Sequence, residues 1–415
     1  MNPVPTAVPT AISEHDRRRA IGFLNWAHAL DHYVMLIFPT VVIGLQAVYG
    51  RSYAELIALS TTSFVAFGVF SLPAGWLADH WSRRNMMAAF YLGCGASLLA
   101  AGFAPSPLLL GVALFVLGMF AAIYHPVGMA MLIEASSARG RTLAFNGVCG
   151  NLGAALAAGI TAALAFALGW RAAFLVPALL CMLTGIVYLR LVPDDRHRTA
   201  KRIAAPEAVL SPRLTIVLFL LFTVVALGAG LTFNTVSVAL PKIVDERLGG
   251  TMPLVAVGWI ATAVFMCGAL AQLAVGRLVE WVAPHFLFVV VVALAFVGIV
   301  WAANATGPAL LGALALTMAA IYGQVTVNDM VVARYTADAW RGRVYAVRYF
   351  LVFISSGAAV AAIAFMHSRG GFDLVLVATA MVTAAFFLAT ASIAVLVWSV
   401  EHGRARAPRI VQPAE

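Results

Sequence analysis

Runs of 19 to 30 mostly apolar residues follow one another along almost the whole chain, with short polar turns between them. A lipid core offers no water to an exposed amide or carbonyl, so each run is predicted to satisfy its backbone internally, as a helix. About 20 such residues cross a hydrocarbon core of about 30 Å. The runs are 20–48, 53–78, 86–104, 107–134, 143–168, 171–192, 214–243, 253–280, 286–304, 307–333, 344–367 and 372–399. They account for a chain of 415 residues that is 63% hydrophobic and 10% charged, where a soluble protein carries about 25% charged residues. The expected fold class is an all-α membrane protein with twelve transmembrane helices. A net charge of +9, spread between the runs, gives no patch for nucleic acid. Cys94, Cys149, Cys181 and Cys267 fall inside runs and form no CxxC pair, so neither a disulfide framework nor a thiolate metal centre is indicated.

Lysine and arginine give the orientation. With residues 1–19 in the cytoplasm and alternation thereafter, Arg17–Arg19, Arg83, Arg84, Arg139, Arg141, Arg341, Arg343 and the basic residues of 196–202 and 404–409 share the cytoplasmic side. Arg51, Arg171, Lys242, Arg247 and Arg369 fall opposite. This positive-inside bias places both termini in the cytoplasm of a multi-pass protein of the bacterial inner membrane. The "RRRAIGFL" stretch leads into a run too long for a cleavable signal and is read as the first span. The one long polar connection, "VPDDRHRTAKRIAAPEAVLSPR", separates two sets of six. The domain plan is therefore a segment 1–19, a six-helix bundle 20–192, a linker 193–212, a second bundle 213–400 and a tail 401–415. The halves repeat: "GWLAD" at 75–79 returns as "GRLVE" at 276–280, "RGRTLAF" at 139–145 as "RGRVYAV" at 341–347, and Pro39 as Pro241, all at offsets of 201 or 202. Secondary transporters are commonly built from such repeats, with the substrate near the midplane between them.

Polar side chains inside the runs are the functional candidates, because burying a charge in lipid costs roughly 2.5–3.5 kcal/mol even on insertion scales. His28, Asp31 and His32 lie roughly 12–18 Å past Ala20 at 1.5 Å per residue, bracketing mid-depth. Spacings of three and four place them on one helix face. Histidine titrates near neutral pH, so the trio is suited to taking up and releasing protons. His125 precedes Pro126, which should kink its helix and free a carbonyl beside the imidazole and the Tyr124 hydroxyl. The second half offers Asn234, at the repeat position of His32, and Gln324 with Asn328 one turn apart; Asp329 is expected to pair with Arg334 or Arg348. The substrate-binding set is thus His28, Asp31, His32, Tyr124, His125, Asn234, Gln324 and Asn328. Small residues at Gly147–Gly159 allow close helix approach.

"GWLADHWSRRNMM", between the second and third runs, resembles the signature loop of the major facilitator superfamily. Gly75, Leu77, Asp79, Arg83 and Arg84 match it; Ser82 stands where that loop has a glycine and His80 where it has a basic residue. The resemblance covers about residues 20–400 and implies two pseudo-symmetric six-helix bundles working by alternating access. It implies a gate at Gly75, Asp79, Arg83, Arg84 and Arg141, echoed by Glu280 and Arg343 in the second half. Within the superfamily, "IYHPVGMAM" and "GNLGAALAAG" are most similar to the fosmidomycin-resistance type of exporter. The second segment also resembles the exporters' antiporter motif, with Asn151 for its proline and Ala154 for its glycine.

These readings point to a secondary transporter of a small molecule, proton-coupled, an exporter in the manner of drug or metabolite antiporters. A proton-coupled importer is one alternative. A transporter of transition-metal ions or chelates through His28, His32, His125 and Met129 is another, since imidazole and thioether suit such ions. No GxxxxGK[ST] loop for ATP, no HExxH and no GxSxG occurs, so the chain is expected to be no enzyme and to need no cofactor. Its expected partners are the substrate, protons and the lipid bilayer, and it is expected to act as a monomer.

Overall fold

A computed structural model of the chain describes residues 13–136, 139–193, 212–248, 252–335 and 338–406. Most of the expected linker, residues 1–12 and 407–415 of the terminal segments and the side chain of Arg343 therefore lie outside the described residues. The described residues are almost wholly helical and contain no strand.

Helix α1 (Glu14–Tyr49) starts six residues before the apolar run. The Ser13 hydroxyl accepts from the Asp16 amide, and Glu14 and Asp16 place negative charge in the first turn, where exposed N–H groups favour it. Helix α2 (Tyr53–His80) opens on a reciprocal cap between Ser52 and Glu55. Helix α3 is Arg83–Phe103 and α4 is Pro107–Ala121. The fourth crossing does not simply kink at Pro126. It widens into a π-helical turn, Tyr124–Gly128, before α5 (Met129–Ala135). Proline lacks the N–H and crowds the carbonyl four residues back; a π turn relieves both. Helices α6 (Arg139–Leu168), α7 (Ala172–Leu191), α8 (Pro212–Arg247), α9 (Leu254–Leu278), α10 (Pro284–Asn304) and α11 (Gly307–Tyr335) follow.

The last element, α12 (Asp338–Arg406), is two crossings in one. Its apolar part, Phe350–Ser399, has 50 residues and would measure about 75 Å as a straight helix, far more than the membrane core. It breaks at Gly370 and Gly371; Gly371 takes φ 57°, a left-handed conformation that a Cβ disfavours. Among the described residues eleven helical segments are long and apolar enough to cross, and this hairpin makes the crossings twelve.

Glycines set how closely these helices approach. A Cβ on Gly153 of α6 would stand 1.9 Å from the Ala29 carbonyl oxygen of α1, and one on Gly118 of α4 the same distance from that of Ser63 in α2. Gly68 of α2 faces the Phe353 carbonyl of α12, and Gly258 of α9 faces Ala158 of α6. The Ser356 hydroxyl donates to the Phe64 carbonyl at 3.3 Å, and the Gly159 amide donates to Thr262 at 3.0 Å. These contacts join the early helices to the late ones along α2–α12 and α6–α9. At the end where α2 begins, Tyr53 packs edge-on against His367 and at a tilt against Phe372, while His367 bonds Glu246 at 3.0 Å and Lys242 reaches Asp245 at 2.6 Å.

Candidate functional site

The polar residues of α1 meet the π turn and α6 in one buried cluster. His28 Nδ1 lies 2.8 Å from the backbone oxygen of Asn146. A carbonyl only accepts, so this nitrogen carries the proton, and in the neutral ring Nε2 is left bare. Nε2 faces His32 Nε2 at 3.2 Å, so a single proton is shared between the two rings. Asp31 is 1% exposed. It turns not to its helix neighbours but to the π turn, where its Oδ2 lies 3.4 Å from His125 Nε2. Its Oδ1 has no partner among the described residues. The ring of His28 stacks on Tyr124 with centroids 4.8 Å apart, and the Tyr124 hydroxyl donates to Asn146 Oδ1 at 3.0 Å.

The wider π turn aims His125 at α1. Pro126 at its centre rests against Gly75 of the signature loop, where an added Cβ would come within 3.3 Å. Phe353 of α12 covers the cluster from the second half: its ring is 5.0 Å from that of His125 and 5.2 Å from that of Phe67. Gly150 of α6 completes the wall. A Cβ there would stand 2.6 Å from His28 Nε2, so this glycine of the small-residue stretch makes room for the imidazole. Gly153 does ordinary packing against α1.

Five of the eight expected substrate residues are therefore neighbours: His28, Asp31, His32, Tyr124 and His125. The other three are elsewhere. Gln324 and Asn328 are buried in α11, with oxygens unpartnered among the described residues, and no hydrogen bond joins them to the histidines. Asn234 donates to the Gly230 carbonyl of its own helix at 2.7 Å, since an amide in an apolar helix readily bonds the carbonyl one turn back. Asp329 pairs with Arg348. Met129 packs against the apolar core.

Around the turn between α2 and α3 lie the expected gate residues Asp79, Arg83 and Arg84. Arg83 is the hub: its guanidinium reaches Asp79 at 2.9 Å and Glu134, at the end of α5, at 3.2 Å. Arg84 donates to the carbonyls of Leu189 and Val192 at the end of α7. Arg141 and Glu280 are exposed and outside this pairing. Ser82, which replaces the loop's glycine, caps α3 by accepting from the Asn85 amide at 3.1 Å. Its φ of −166° is extended, so no glycine is needed there.

Two contributors escaped the sequence reading. Asn146 bonds Tyr124, the Leu24 carbonyl and Asn25; the signal was available, an amide inside the fifth run. Phe353 had no signal, because one phenylalanine among many apolar residues gives no hint of its neighbours.

Residues 21–360 match the Major Facilitator Superfamily. The fold superposes on the crystal structure of a bacterial homolog to the human lysosomal transporter Spinster, in an inward-facing and unoccupied conformation. The TM-score is 0.76 over 91% of this chain and 98% of that one, at 14% identity. A puromycin resistance protein of Streptomyces alboniger is 32% identical over 154 residues, 36% of this chain and 30% of that one. A probable 4-methylmuconolactone transporter of Cupriavidus pinatubonensis is 26% identical over 259 residues, 59% of each chain. A gentisate transporter of Corynebacterium glutamicum is 24% identical over 194 residues, 45% of this chain and 44% of that one. The chain thus spans between 30% and 59% of the length of these relatives.

Proposed function

Since the chain belongs to the major facilitator superfamily and is a transporter rather than an enzyme, we propose that it couples proton movement to the export of a small organic compound. The observation that carries the proton role is the set of His28 and Asp31, buried, with His32 and His125, half-buried, paired as His28–His32 at 3.2 Å and Asp31–His125 at 3.4 Å. It offers neighbouring proton acceptors inside a helix bundle. The substrate class follows the relatives, which are named for puromycin, 4-methylmuconolactone and gentisate. Export is supported by the resistance protein among them and by the resemblance of Ile123–Met131 and Gly150–Gly159 to fosmidomycin-resistance exporters.

In this reading the bundles 20–192 and 213–400 rock about a substrate held between the histidines and the Gln324–Asn328 face. The chain works as a monomer in the bacterial inner membrane, with both termini and the Arg83 loop cytoplasmic. Arg83, bridging Asp79 and Glu134, links the ends of α2, α3 and α5 at the gate, and Gly75 passes its movement to Pro126.

The test uses the full chain reconstituted in vesicles with an imposed pH gradient and puromycin, gentisate or 4-methylmuconolactone. Substrate should move against the proton gradient, collapsing with an uncoupler. Asp31→Asn should abolish substrate-driven proton movement while leaving a folded, inserted protein. Wild-type coupling in a folded Asp31→Asn protein sinks the proton role; substrate following the protons inward makes the chain an importer.

A further inference from the structure

We infer that His28, His32, His125 and Asp31 form a binding site for a divalent transition-metal ion of the zinc type. The geometry is the starting point. Two ligands at about 2.0–2.1 Å from a tetrahedral ion stand about 3.3 Å apart. His28 Nε2 and His32 Nε2 are 3.2 Å apart, and His125 Nε2 and Asp31 Oδ2 are 3.4 Å apart. Two opposite edges of a coordination tetrahedron are thus already at length. The three imidazoles each offer a nitrogen within 4.8 Å of the others, so ring rotations moving these atoms by about 1.5 Å bring them to the spacing of a shared ion, with Asp31 held to the set through His125.

The surroundings suit a ligand set. A metal-binding histidine generally donates its second ring N–H to a carbonyl or carboxylate, which fixes the ring and leaves the other nitrogen free. His28 does this through Nδ1 to the Asn146 carbonyl at 2.8 Å. Tyr124 stacked on one side and the wall at Gly150 hold the plane of that ring. Asp31 supplies negative charge in a place where an unpaired carboxylate is costly, and its second oxygen lacks a partner among the described residues. Three imidazoles and one carboxylate favour zinc, cobalt or nickel over magnesium or calcium, which prefer all-oxygen shells. The thioether of Met129 is not required.

The ion takes the lone pairs that the proposed proton path uses, so it should arrest proton-coupled transport. That consequence alone rests on the proton reading; metal binding does not. The experiment titrates the purified full chain with Co²⁺ and follows its visible spectrum, then displaces it with Zn²⁺. One Co²⁺ per chain with the intense bands of four-coordinate cobalt is expected. His28→Gln and His125→Gln should each weaken binding by at least about 10–100-fold, the range that even outer-ligand losses reach. His15→Gln, altering an exposed histidine at the start of α1, should leave it unchanged. If a variant fails to fold, the wild type still decides: no Co²⁺ bound, or only six-coordinate cobalt, overturns the inference, as does binding that survives His28→Gln with His125→Gln. Loss of substrate-driven proton movement in metal-free vesicles instead refutes the proton reading and leaves the metal site standing.

Discussion

Replacing Gly150 with alanine probes the link between helix packing and chemistry. The new methyl carbon would stand 2.6 Å from His28 Nε2, where ordinary contact needs about 3.5 Å. The ring must retreat by roughly 0.9 Å. It cannot slide freely, because Tyr124 stacks on it and Asn146 holds its other nitrogen at 2.8 Å. A retreat of that size carries the 3.2 Å contact to His32 beyond hydrogen-bond range. Misplacements near 1 Å can cost about 100-fold in rate, so substrate-driven proton uptake in vesicles should fall about 10- to 100-fold. Stability should fall modestly. The lost histidine contact costs about 1 kcal/mol, offset by the up to about 1 kcal/mol that alanine gains over glycine in a helix. Two neighbours on α6 bracket the effect. Gly147→Ala meets nothing within 4 Å and should be silent. Gly153→Ala drives a methyl into the Ala29 carbonyl, backbone that cannot step aside, and should cost about 1–3 kcal/mol, read as a lower melting temperature in detergent. Wild-type coupling in Gly150→Ala would mean that His28 does not sit against α6, and the cluster described above would be wrong.

Asp79→Asn should slow turnover severely while substrate affinity, from equilibrium binding, changes little; a collapse in affinity would move Asp79 from gate to binding site. Asn146→Leu removes the contacts to Tyr124 and Asn25, each interhelical bond worth about 0.6–1.7 kcal/mol in a membrane. It should lower stability by about that sum and raise the barrier to proton exchange, as seen in vesicle proton uptake. An unchanged melting temperature would show that Asn146 carries no interhelical load.

The helices were legible because hydrocarbon imposes one rule on every backbone group, and a run of apolar residues states compliance directly. Their ends were less so. The early start of α1 depends on the Ser13 cap, and the merger of the last two crossings depends on two glycines with no polar loop between them. The π turn was only half visible, since Pro126 announces a disturbance but not which helix type absorbs it. At the site, residues on one helix, His28, Asp31 and His32, were found by spacing alone. Bringing His125 to Asp31, and Gly150 to His28, needs packing between helices more than 90 residues apart, which no local pattern records. At Asn234 the repeat position of His32 did not bring matching partners, because the amide there bonds the Gly230 carbonyl of its own helix.

The break at Gly370 and Gly371 bears on how the protein is made. A two-residue reversal between crossings leaves almost nothing hydrophilic to carry through the bilayer. Within residues 350–399 the only fully charged side chains are Arg369 and Asp373, of opposite sign and flanking the turn. Neither arm has a polar tether long enough to let it wait alone at the membrane surface. The pair should therefore partition into lipid together, as a prefolded hairpin leaving the insertion machinery in one event. The reversal that a static picture shows as a kink is, during synthesis, the step that commits the final third of the second bundle to the membrane.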